Sequence, residues 1–256
     1  MDPSGKSVII TGASSGIGLA TARAFASAGA LVTLAARDRS RLEAAAREIP
    51  GALAAPTNVA DVSQVQALVE RAIAAFGGVD IVINNAGVGL AAPVASLRAE
   101  DLQAALEVNL LGPLALTQAA LPHMRRRGQL IFVSSVVGLR ALPYLGGYAA
   151  TKAALDRLVE SLRVELRGSG VAVTLVRPGT TDTGFAEHRL GSGRERRRVR
   201  SRASTPEQAA AAILRAARRE PRVAYVSWRD RLTVLASLIA PGLADRLLAR
   251  SFSWEG

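Results

Sequence analysis

Apolar residues follow two alternating patterns along the chain, short continuous runs and helical repeats. The continuous runs cover residues 7–11, 30–36, 79–83, 129–133, 171–176 and 223–226. Apolar positions spaced three or four apart cover residues 20–28, 38–48, 59–76, 97–124, 148–168 and 206–219. Runs that are apolar throughout predict strands buried on both faces. The alternation therefore favours an α/β fold, a doubly wound parallel sheet with helices on both faces.

The repeating pattern changes near the end of the chain and suggests a division there. Residues 184–205 are polar and rich in Gly and Arg, which predicts a substrate loop without regular structure. Residues 228–256 carry an apolar stripe interrupted at Pro241, made of Leu232, Leu235, Ile239, Leu243 and Leu247. We predict a single domain over residues 1–227 and an amphipathic helical C-terminal extension over residues 228–256.

Two explanations account for the stripe in the C-terminal extension. Packing on the core or in a subunit interface is the one that we favour. Trp228 and Trp254, with arginines close to both, also suit a membrane surface, so contact of residues 228–254 with a membrane is the alternative.

Composition excludes several classes of site. The chain of 256 residues is 49% hydrophobic and contains no cysteine, which excludes disulfides, thiolate nucleophiles and zinc–thiolate sites. Its two histidines, His123 and His188, lie far apart, so we expect no metal site. The first residues lack the pattern of a signal peptide and no apolar run reaches about 18 residues, so we expect a cytoplasmic protein.

The net charge of +11 raises the question of nucleic-acid binding. The arginines are spread over nearly every predicted helix, only Arg194 to Arg202 forms a dense block, and no nucleic-acid-binding motif accompanies it. We therefore expect no nucleic-acid partner. The block is typical of a solvated loop, although it could also attract an acidic substrate.

A glycine-rich turn follows the first predicted strand directly. Residues 11–18 read TGASSGIG and precede a predicted helix. Glycine there permits a tight turn and lets the backbone approach a pyrophosphate at a helix N-terminus. The turn predicts a Rossmann-like dinucleotide site, with an ordinary strand-to-helix turn as the alternative.

Tyr148 and Lys152 are four residues apart near the start of a predicted helix, so their side chains lie on one face. An adjacent ammonium favours a phenolate, and we expect it to lower the pKa of Tyr148 toward the range of a general acid or base. Lys152 is one of only two lysines, which favours a need for a compact ammonium. An exposed pair without function is the alternative.

Five segments occur in an order and spacing that resemble the short-chain dehydrogenase/reductase family. They are TGASSGIG, Asn84-Asn85-Ala86-Gly87, Ser134-Ser135, Tyr148-Ala-Ala-Thr-Lys152 and Pro178-Gly179. The resemblance covers roughly residues 5–185 and implies an oxidoreductase that uses a nicotinamide cofactor.

The resemblance implies a catalytic set of four residues. Tyr148 would exchange a proton with the substrate oxygen, and Lys152 would bond the nicotinamide ribose and lower the tyrosine pKa. Ser135, thirteen residues before Tyr148, would polarise the carbonyl. Asn109 would complete the set through a water molecule. Ser135 and Asn109 could otherwise be plain capping or turn residues.

The resemblance also implies a set of cofactor-binding residues. They are Gly12, Ser14, Ser15, Gly16, Ile17, Gly18, Arg37, Asn58, Val59, Asn85, Ala86, Gly87, Tyr148, Lys152, Pro178, Gly179, Thr181 and Thr183. Ala36 stands where NAD-type members carry Asp, and Arg37 can form a bidentate contact with a phosphate, which favours NADP(H) over NAD(H). Asp38 could still turn toward the ribose, and Asn58 replaces the Asp that usually contacts adenine.

We therefore predict an NADP(H)-dependent oxidoreductase that interconverts a carbonyl and a secondary alcohol. The mostly apolar residues 136–145 favour an apolar substrate. The resemblance implies a homodimer or homotetramer. A cofactor-sensing protein with the same fold and no turnover is the alternative, and the presence of Ser135, Tyr148 and Lys152 counts against it.

Overall fold

The computed structural model describes residues 1–191, 194–197 and 203–255. Its strands are β1 Ser7–Thr11, β2 Leu31–Ala36, β3 Leu53–Pro56, β4 Val79–Asn84, β5 Met124–Val133, β6 Ala172–Arg177, β7 Arg194–Arg197, β8 Val223–Tyr225 and β9 Phe252–Glu255. Its α-helices are α1 Gly16–Ser27, α2 Arg39–Arg47, α3 Val62–Phe76, α4 Ala99–Leu106, α5 Gly112–Ala120, α6 Gly146–Glu165, α7 Pro206–Arg219, α8 Trp228–Ile239 and α9 Pro241–Ser251.

Within these residues, seven strands form one parallel sheet in the order β3-β2-β1-β4-β5-β6-β8. Helices α1, α2 and α7 cover one face, where Phe25, Leu42 and Ile213 are buried. Helices α3, α5 and α6 cover the other face around Leu116 and Leu155. The predicted doubly wound, Rossmann-like fold is confirmed.

The strand order reverses between β1 and β4, and this reversal locates the site. Chain connections on the two sides of such a point run in opposite directions, which leaves a crevice at the carboxyl ends of the strands. Thr11 and Asn84 end β1 and β4, and Val133 and Arg177 end the next two strands. Loops that follow these four residues form the rim of the crevice.

The long helix predicted over residues 97–124 is present as one helical run, Ala99–His123, and Met124 begins β5. A π-helical turn, Glu107–Leu111, lies inside the run between α4 and α5. It is followed by Gly112, where a Cβ atom would lie 3.0 Å from the carbonyl oxygen of Val59. The run Ala99–His123 has the length and hydropathy of a membrane span, but α5 packs against α3 and β4 in the core.

Two other differences from the predicted helices and strands have local causes. Strand β3 was not predicted, because it has only four residues, three of them partly buried, and ends in Pro56. Helix α3 begins at Val62 rather than residue 59, because the Asp61 carboxylate accepts hydrogen bonds from the backbone N–H groups of Ser63 (3.0 Å) and Gln64 (3.2 Å).

The C-terminal extension consists of α8, α9 and β9. The chain direction turns by 117° between the two helices, at the break predicted at Pro241. Strand β9 pairs antiparallel with β7, so the predicted substrate loop contains four residues of strand. The remainder of the Arg194 to Arg202 block lies outside the described residues.

Candidate active site

The glycine turn connects β1 to α1 in a conformation that requires glycine. Gly12 and Gly16 adopt φ angles of 66° and 51°, in the left-handed region. A Cβ atom on Gly18 would lie 2.1 Å from the carbonyl oxygen of Gly12. Ser15 precedes α1 without a side-chain cap, so backbone N–H groups of the first turn remain available to an anion. Ser14 lies in the same turn, and Ile17 packs against the core.

The Asn85-Ala86-Gly87 segment is fastened to the end of β1. The Asn85 side-chain amide donates to the carbonyl oxygen of Thr11 at 2.8 Å. The backbone N–H groups of Asn85 and Ala86 both donate to the Thr11 hydroxyl at 3.0 Å. A Cβ atom on Gly87 would lie 3.6 Å from Nζ of Lys152. The segment therefore connects the glycine turn with the lysine that the sequence singled out.

Tyr148 and Lys152 project from the first turns of α6 into the crevice. The Lys152 amine lies 5.9 Å from the centroid of the Tyr148 ring. It donates to the carbonyl oxygen of Val133, the last residue of β5, at 3.1 Å. Only 3% of the lysine is exposed, so its position is held by the protein rather than by solvent.

Burial dominates the protonation of both side chains. It raises the pKa of the Tyr148 phenol above its ordinary value, and the hydrogen bond with Ser135 lowers that pKa by less. Burial also lowers the pKa of the Lys152 amine to about 8, against the opposing attraction of the Asp156 carboxylate. The expectation that Lys152 lowers the pKa of Tyr148 is therefore wrong for this structure, because desolvation outweighs a charge that is not in contact with the hydroxyl.

Ser135 lies at the end of β5 and completes a cluster with Tyr148. Its hydroxyl accepts from the N–H of Val137 at 3.3 Å, so it also caps the 3₁₀ turn Val136–Gly138. Ser134 faces the other way, because its hydroxyl donates to the Asp156 carboxylate at 2.5 Å. Ser135 rather than Ser134 is therefore the serine that adjoins the phenol.

Asn109 lies in the π-helical turn and joins two segments of the site. Its side-chain oxygen accepts from the N–H of Val88 at 2.8 Å, and its amide donates to the Val88 carbonyl at 2.9 Å and to the Thr151 hydroxyl at 3.1 Å. The side chain thus fixes the Asn85–Val88 segment to α6 next to Lys152. A π-helical turn frees backbone carbonyl groups from the regular ladder, and such turns recur at functional sites.

Sequence reasoning missed a buried ionic network behind Lys152. The Asp156 carboxylate, one helical turn after Lys152, accepts from Nη2 and Nε of Arg177 at 2.8 and 3.2 Å, and neither residue is exposed by more than 6%. A guanidinium nitrogen of Arg177 also contacts the Tyr225 hydroxyl at 3.4 Å. The sequence signal that could have revealed this network is Arg177 itself, a charged residue at the end of a mostly apolar strand and directly before Pro178.

The residues expected to select the cofactor lie at the end of β2. Ala36 is buried, and Arg37 is exposed beside it. Asp38 caps α2, because its carboxylate accepts from the N–H of Arg41 at 3.0 Å and from the Ser40 hydroxyl at 2.9 Å. These hydrogen bonds, the Arg41 N–H first, hold the pKa of Asp38 below its usual value. The Asp38 carboxylate is therefore engaged as the cap of α2.

Asn58 and Val59 follow β3 on the same side of the crevice. The Asn58 side-chain oxygen accepts from the N–H of Ala60 at 3.3 Å, which leaves one lone pair for another donor. The Val59 side chain packs against Gly112 at the start of α5. Both residues thus hold the loop in which we expect adenine to lie.

The segment after β6 closes over the glycine turn. Its first residues, Pro178 and Gly179, follow Arg177, and the Thr181 hydroxyl donates to the Gly179 carbonyl at 3.4 Å. A Cβ atom on Gly16 would lie 3.2 Å from the Thr183 methyl group, so the two segments come close enough to enclose a ligand.

An aromatic side chain of the predicted substrate loop packs against Tyr148. The ring centroids of Phe185 and Tyr148 are 5.8 Å apart. Tyr144, which ends the apolar segment of residues 136–145, packs against Trp254 of β9 at 5.2 Å between centroids. The loop after β6 and strand β9 therefore lie on the side of the crevice where we expect the substrate.

The arrangement fits a dinucleotide with its reactive end beside Tyr148. The glycine cradle has no room for a Cβ atom at Gly12 or Gly18, and the first turn of α1 offers backbone donors to phosphate. Among the described residues, no group of three His, Cys, Asp or Glu side chains could hold a metal ion.

Comparison with known proteins identifies the family. The profile described as short chain dehydrogenase matches residues 6–191. The uncharacterized oxidoreductase YxnA of Bacillus subtilis is 35% identical over 253 residues, which cover 95% of this chain and 71% of that protein.

Two solved structures share the whole fold. A short-chain dehydrogenase/reductase from Burkholderia phymatum in complex with NAD matches with a TM-score of 0.86 at 28% identity, over 95% of this chain and 96% of that one. An alcohol dehydrogenase from Thermococcus sibiricus complexed with 5-hydroxy-NADP matches with a TM-score of 0.76 at 32% identity, over 86% and 94%. This chain therefore belongs to the short-chain dehydrogenase/reductase family and is an oxidoreductase.

Proposed function

We propose that the protein interconverts a carbonyl compound and a secondary alcohol with NADP(H), using Tyr148 as general acid and base. The observation that carries the proposal is the cluster at the strand ends, next to the glycine cradle, in which the half-buried Tyr148 ring lies beside the buried side chains of Ser135 and Lys152. A proton donor, its hydrogen-bonding partner and a buried amine beside a dinucleotide site are what carbonyl reduction requires.

The Tyr148 phenol can serve both directions of the reaction. Burial raises its pKa, so the resting phenol is protonated at neutral pH and can give its proton to a substrate oxygen during reduction, and the phenolate can take a proton back during oxidation. Ser135 lies beside it and supplies a second hydroxyl to the same oxygen. The bound cofactor supplies or accepts the hydride. To the Lys152 amine we assign the bond to the ribose and the positive charge near the phenol, and its hydrogen bond to the Val133 carbonyl supports this by fixing its position.

The preference for NADP(H) is supported by the residues that end β2. Arg37 is exposed there and free to form a bidentate contact with a 2′-phosphate. Asp38, the carboxylate that could instead bind a 2′-hydroxyl, is engaged as the cap of α2. The relatives named above include proteins solved with NAD and with an NADP derivative, so this choice rests on Arg37 and Asp38.

Substitution of the phenol tests the catalytic role. In Tyr148→Phe we expect turnover to fall by at least about a thousandfold, since general acid catalysis contributes up to about 10⁴-fold, while NADPH affinity stays within about twofold. Tyr144→Phe, four residues earlier, is the matched control and should retain activity, because it removes only a hydroxyl and keeps the ring that packs against Trp254. Turnover would be followed with a panel of apolar carbonyls and alcohols and each cofactor. Cofactor binding without turnover of any compound would favour the sensor alternative.

Substitution of Arg37 tests the cofactor preference. In Arg37→Ala we expect NADPH to bind at least about tenfold more weakly, because a charge-assisted bond contributes roughly 1.5–3 kcal/mol, with little change for NADH. Arg39→Ala, two residues later and equally exposed, is the control. An equal loss of affinity for both cofactors would contradict the assignment to NADP(H).

A further inference from the structure

The C-terminal helix pair, α8 with α9, turns a large apolar surface away from the protein. Seven of the thirteen large apolar side chains that are exposed in the described part of the chain lie on it, and Ile239 is 84% exposed. The seven are Trp228, Leu232, Leu235, Leu238, Ile239, Leu243 and Leu247. A concentration of this kind marks an interaction surface rather than scattered exposure.

Helix α8 shows that this orientation is specific. Its inward face consists of Asp230, Val234 and Ser237, at helical spacing i, i+4 and i+7, and Val234 is buried. Its outward face carries Trp228, Leu232, Leu235 and Ile239 at the same kind of spacing. A surface helix ordinarily buries its large apolar residues. Here the small and polar positions face the protein, so the apolar face needs a separate partner.

Charge distinguishes between the partners that could cover this face. Neither acidic side chain of the pair leaves an isolated negative charge there, since the Asp230 carboxylate adjoins Gly179 and Asp245, although exposed, forms an ion pair with Arg140. Four exposed arginines lie toward the outer ends of the pair: Arg229, Arg231, Arg246 and Arg250. Residues 233–244, between the two pairs of arginines, contain no charged side chain.

We propose that the C-terminal helix pair docks this protein on an anionic lipid bilayer. Its uncharged apex around Ala240 and Pro241 enters the acyl region, and the arginines at its ends meet the headgroups. Trp228 lies at one end, where an aromatic ring suits the interface. A second copy of the chain fits less well, because a two-fold contact would bring like-charged arginine rims together.

The position of the helix pair links docking to the crevice. Asp245 of α9 holds Arg140, Trp254 packs against Tyr144, and Asp230 adjoins Gly179. Docking therefore brings the substrate side of the crevice to the membrane, where apolar carbonyl compounds partition. This consequence rests on the proposed function, whereas the docking surface itself does not.

Vesicle flotation of the full chain, without cofactor or substrate, tests the surface. We expect the protein to float with vesicles of phosphatidylcholine and phosphatidylglycerol. The double variant Ile239→Glu/Leu243→Glu should partition at least about tenfold more weakly, because two apolar side chains leave the acyl region. Val62→Glu makes the same kind of change at an exposed site on α3 and should float as the unaltered protein does.

A second pair of substitutions tests the arginines. Arg246→Gln/Arg250→Gln should weaken binding to the anionic vesicles and make it less sensitive to salt, whereas Arg47→Gln/Arg167→Gln should not. Failure of the unaltered chain to float would overturn the proposal. If, in addition, light scattering showed that the glutamate pair splits an oligomer, the face would be assigned to a second copy. Since no turnover is measured, neither result depends on the catalytic assignment.

Discussion

Lys152 is the residue whose charge the site controls most directly. Burial lowers the pKa of its amine from 10.5 to about 8 and Asp156 opposes this, so the ammonium is present below about pH 8 and lost above it. The folded protein thus favours the neutral amine. Through this residue alone, the free energy of unfolding rises as the pH increases from about 8 toward 10.5, where the unfolded chain also loses the proton.

This pKa predicts an alkaline limit to activity. Because the ammonium is needed near the phenol, kcat/KM for carbonyl reduction with NADPH should decline above about pH 8. Initial rates at low substrate concentration between pH 6 and about pH 10 would measure this alkaline decline, the alkaline limb of the pH profile. Protein stability would be followed in the same buffers. A profile that stays flat to about pH 10 would show that the charge of Lys152 is not required.

Asp156 should set the position of that limb. In Asp156→Asn the limb is expected to move to lower pH, because the carboxylate that raises the pKa of Lys152 is removed. The variant should also lose about 3 kcal/mol of stability, since Arg177 keeps a buried charge without its counterion. Asp101→Asn, on α4, is the control for both effects. An unmoved limb in a destabilised variant would restrict Asp156 to a structural role.

Residue spacing found the cluster but not its electrostatics. The four-residue interval between Tyr148 and Lys152 predicted that these two side chains lie on one helix face, and the resemblance to the short-chain dehydrogenase/reductase family implied that Ser135 joins them. The direction of the pKa shift at Tyr148 depends on how much water surrounds the hydroxyl, which no interval encodes. Asp156 was overlooked because Arg157 follows it directly and makes the segment resemble a solvated helix face.

At the scale of elements, the turn before α1 shows how closely packing is tied to ligand binding. In Gly18→Ala the new Cβ atom would lie 2.1 Å from the Gly12 carbonyl oxygen, so the turn must open. We expect about 1–3 kcal/mol of lost stability and at least about tenfold weaker binding of NADPH by fluorescence titration. Gly242→Ala, in α9 with no atom within 4 Å of the added Cβ, should change neither.

Whether a segment is a helix or a strand could be predicted where its hydrophobic pattern was long. Where a helix or strand begins and ends depends on contacts with other segments, which the hydrophobic pattern does not reveal. The strands β1, β2 and β4 were found from continuous apolar runs. The helical run over residues 97–124 was also predicted, but the π-helical turn Glu107–Leu111 inside it was not, because no apolar period marks one. The break at Pro241 was predicted because proline acts locally.

At the scale of the whole molecule, the C-terminal extension is joined to the crevice through its last strand. Tyr144 adopts a left-handed φ of 67°, which is strained for a residue other than glycine. Its carbonyl accepts from the N–H of Ala92 at 2.9 Å, and its ring packs against Trp254. Sequence patterns separated the extension from the domain at residue 227, but these contacts make it one wall of the substrate side.

Removal of the Trp254 ring tests whether that wall contributes to substrate binding. In Trp254→Ala we expect KM for the carbonyl substrate to rise roughly three- to tenfold, because an aromatic pair contributes about 0.5–1.5 kcal/mol and its loss frees the strained Tyr144 segment. NADPH affinity should not change, since the main contacts of β9 are with β7 and α9. Trp228→Ala, measured without vesicles, is the matched control, because that ring is exposed and contacts Arg229 instead. An unchanged KM in Trp254→Ala, or an equal rise in both tryptophan variants, would show that the extension contributes to stability or docking but not to the recognition of substrate.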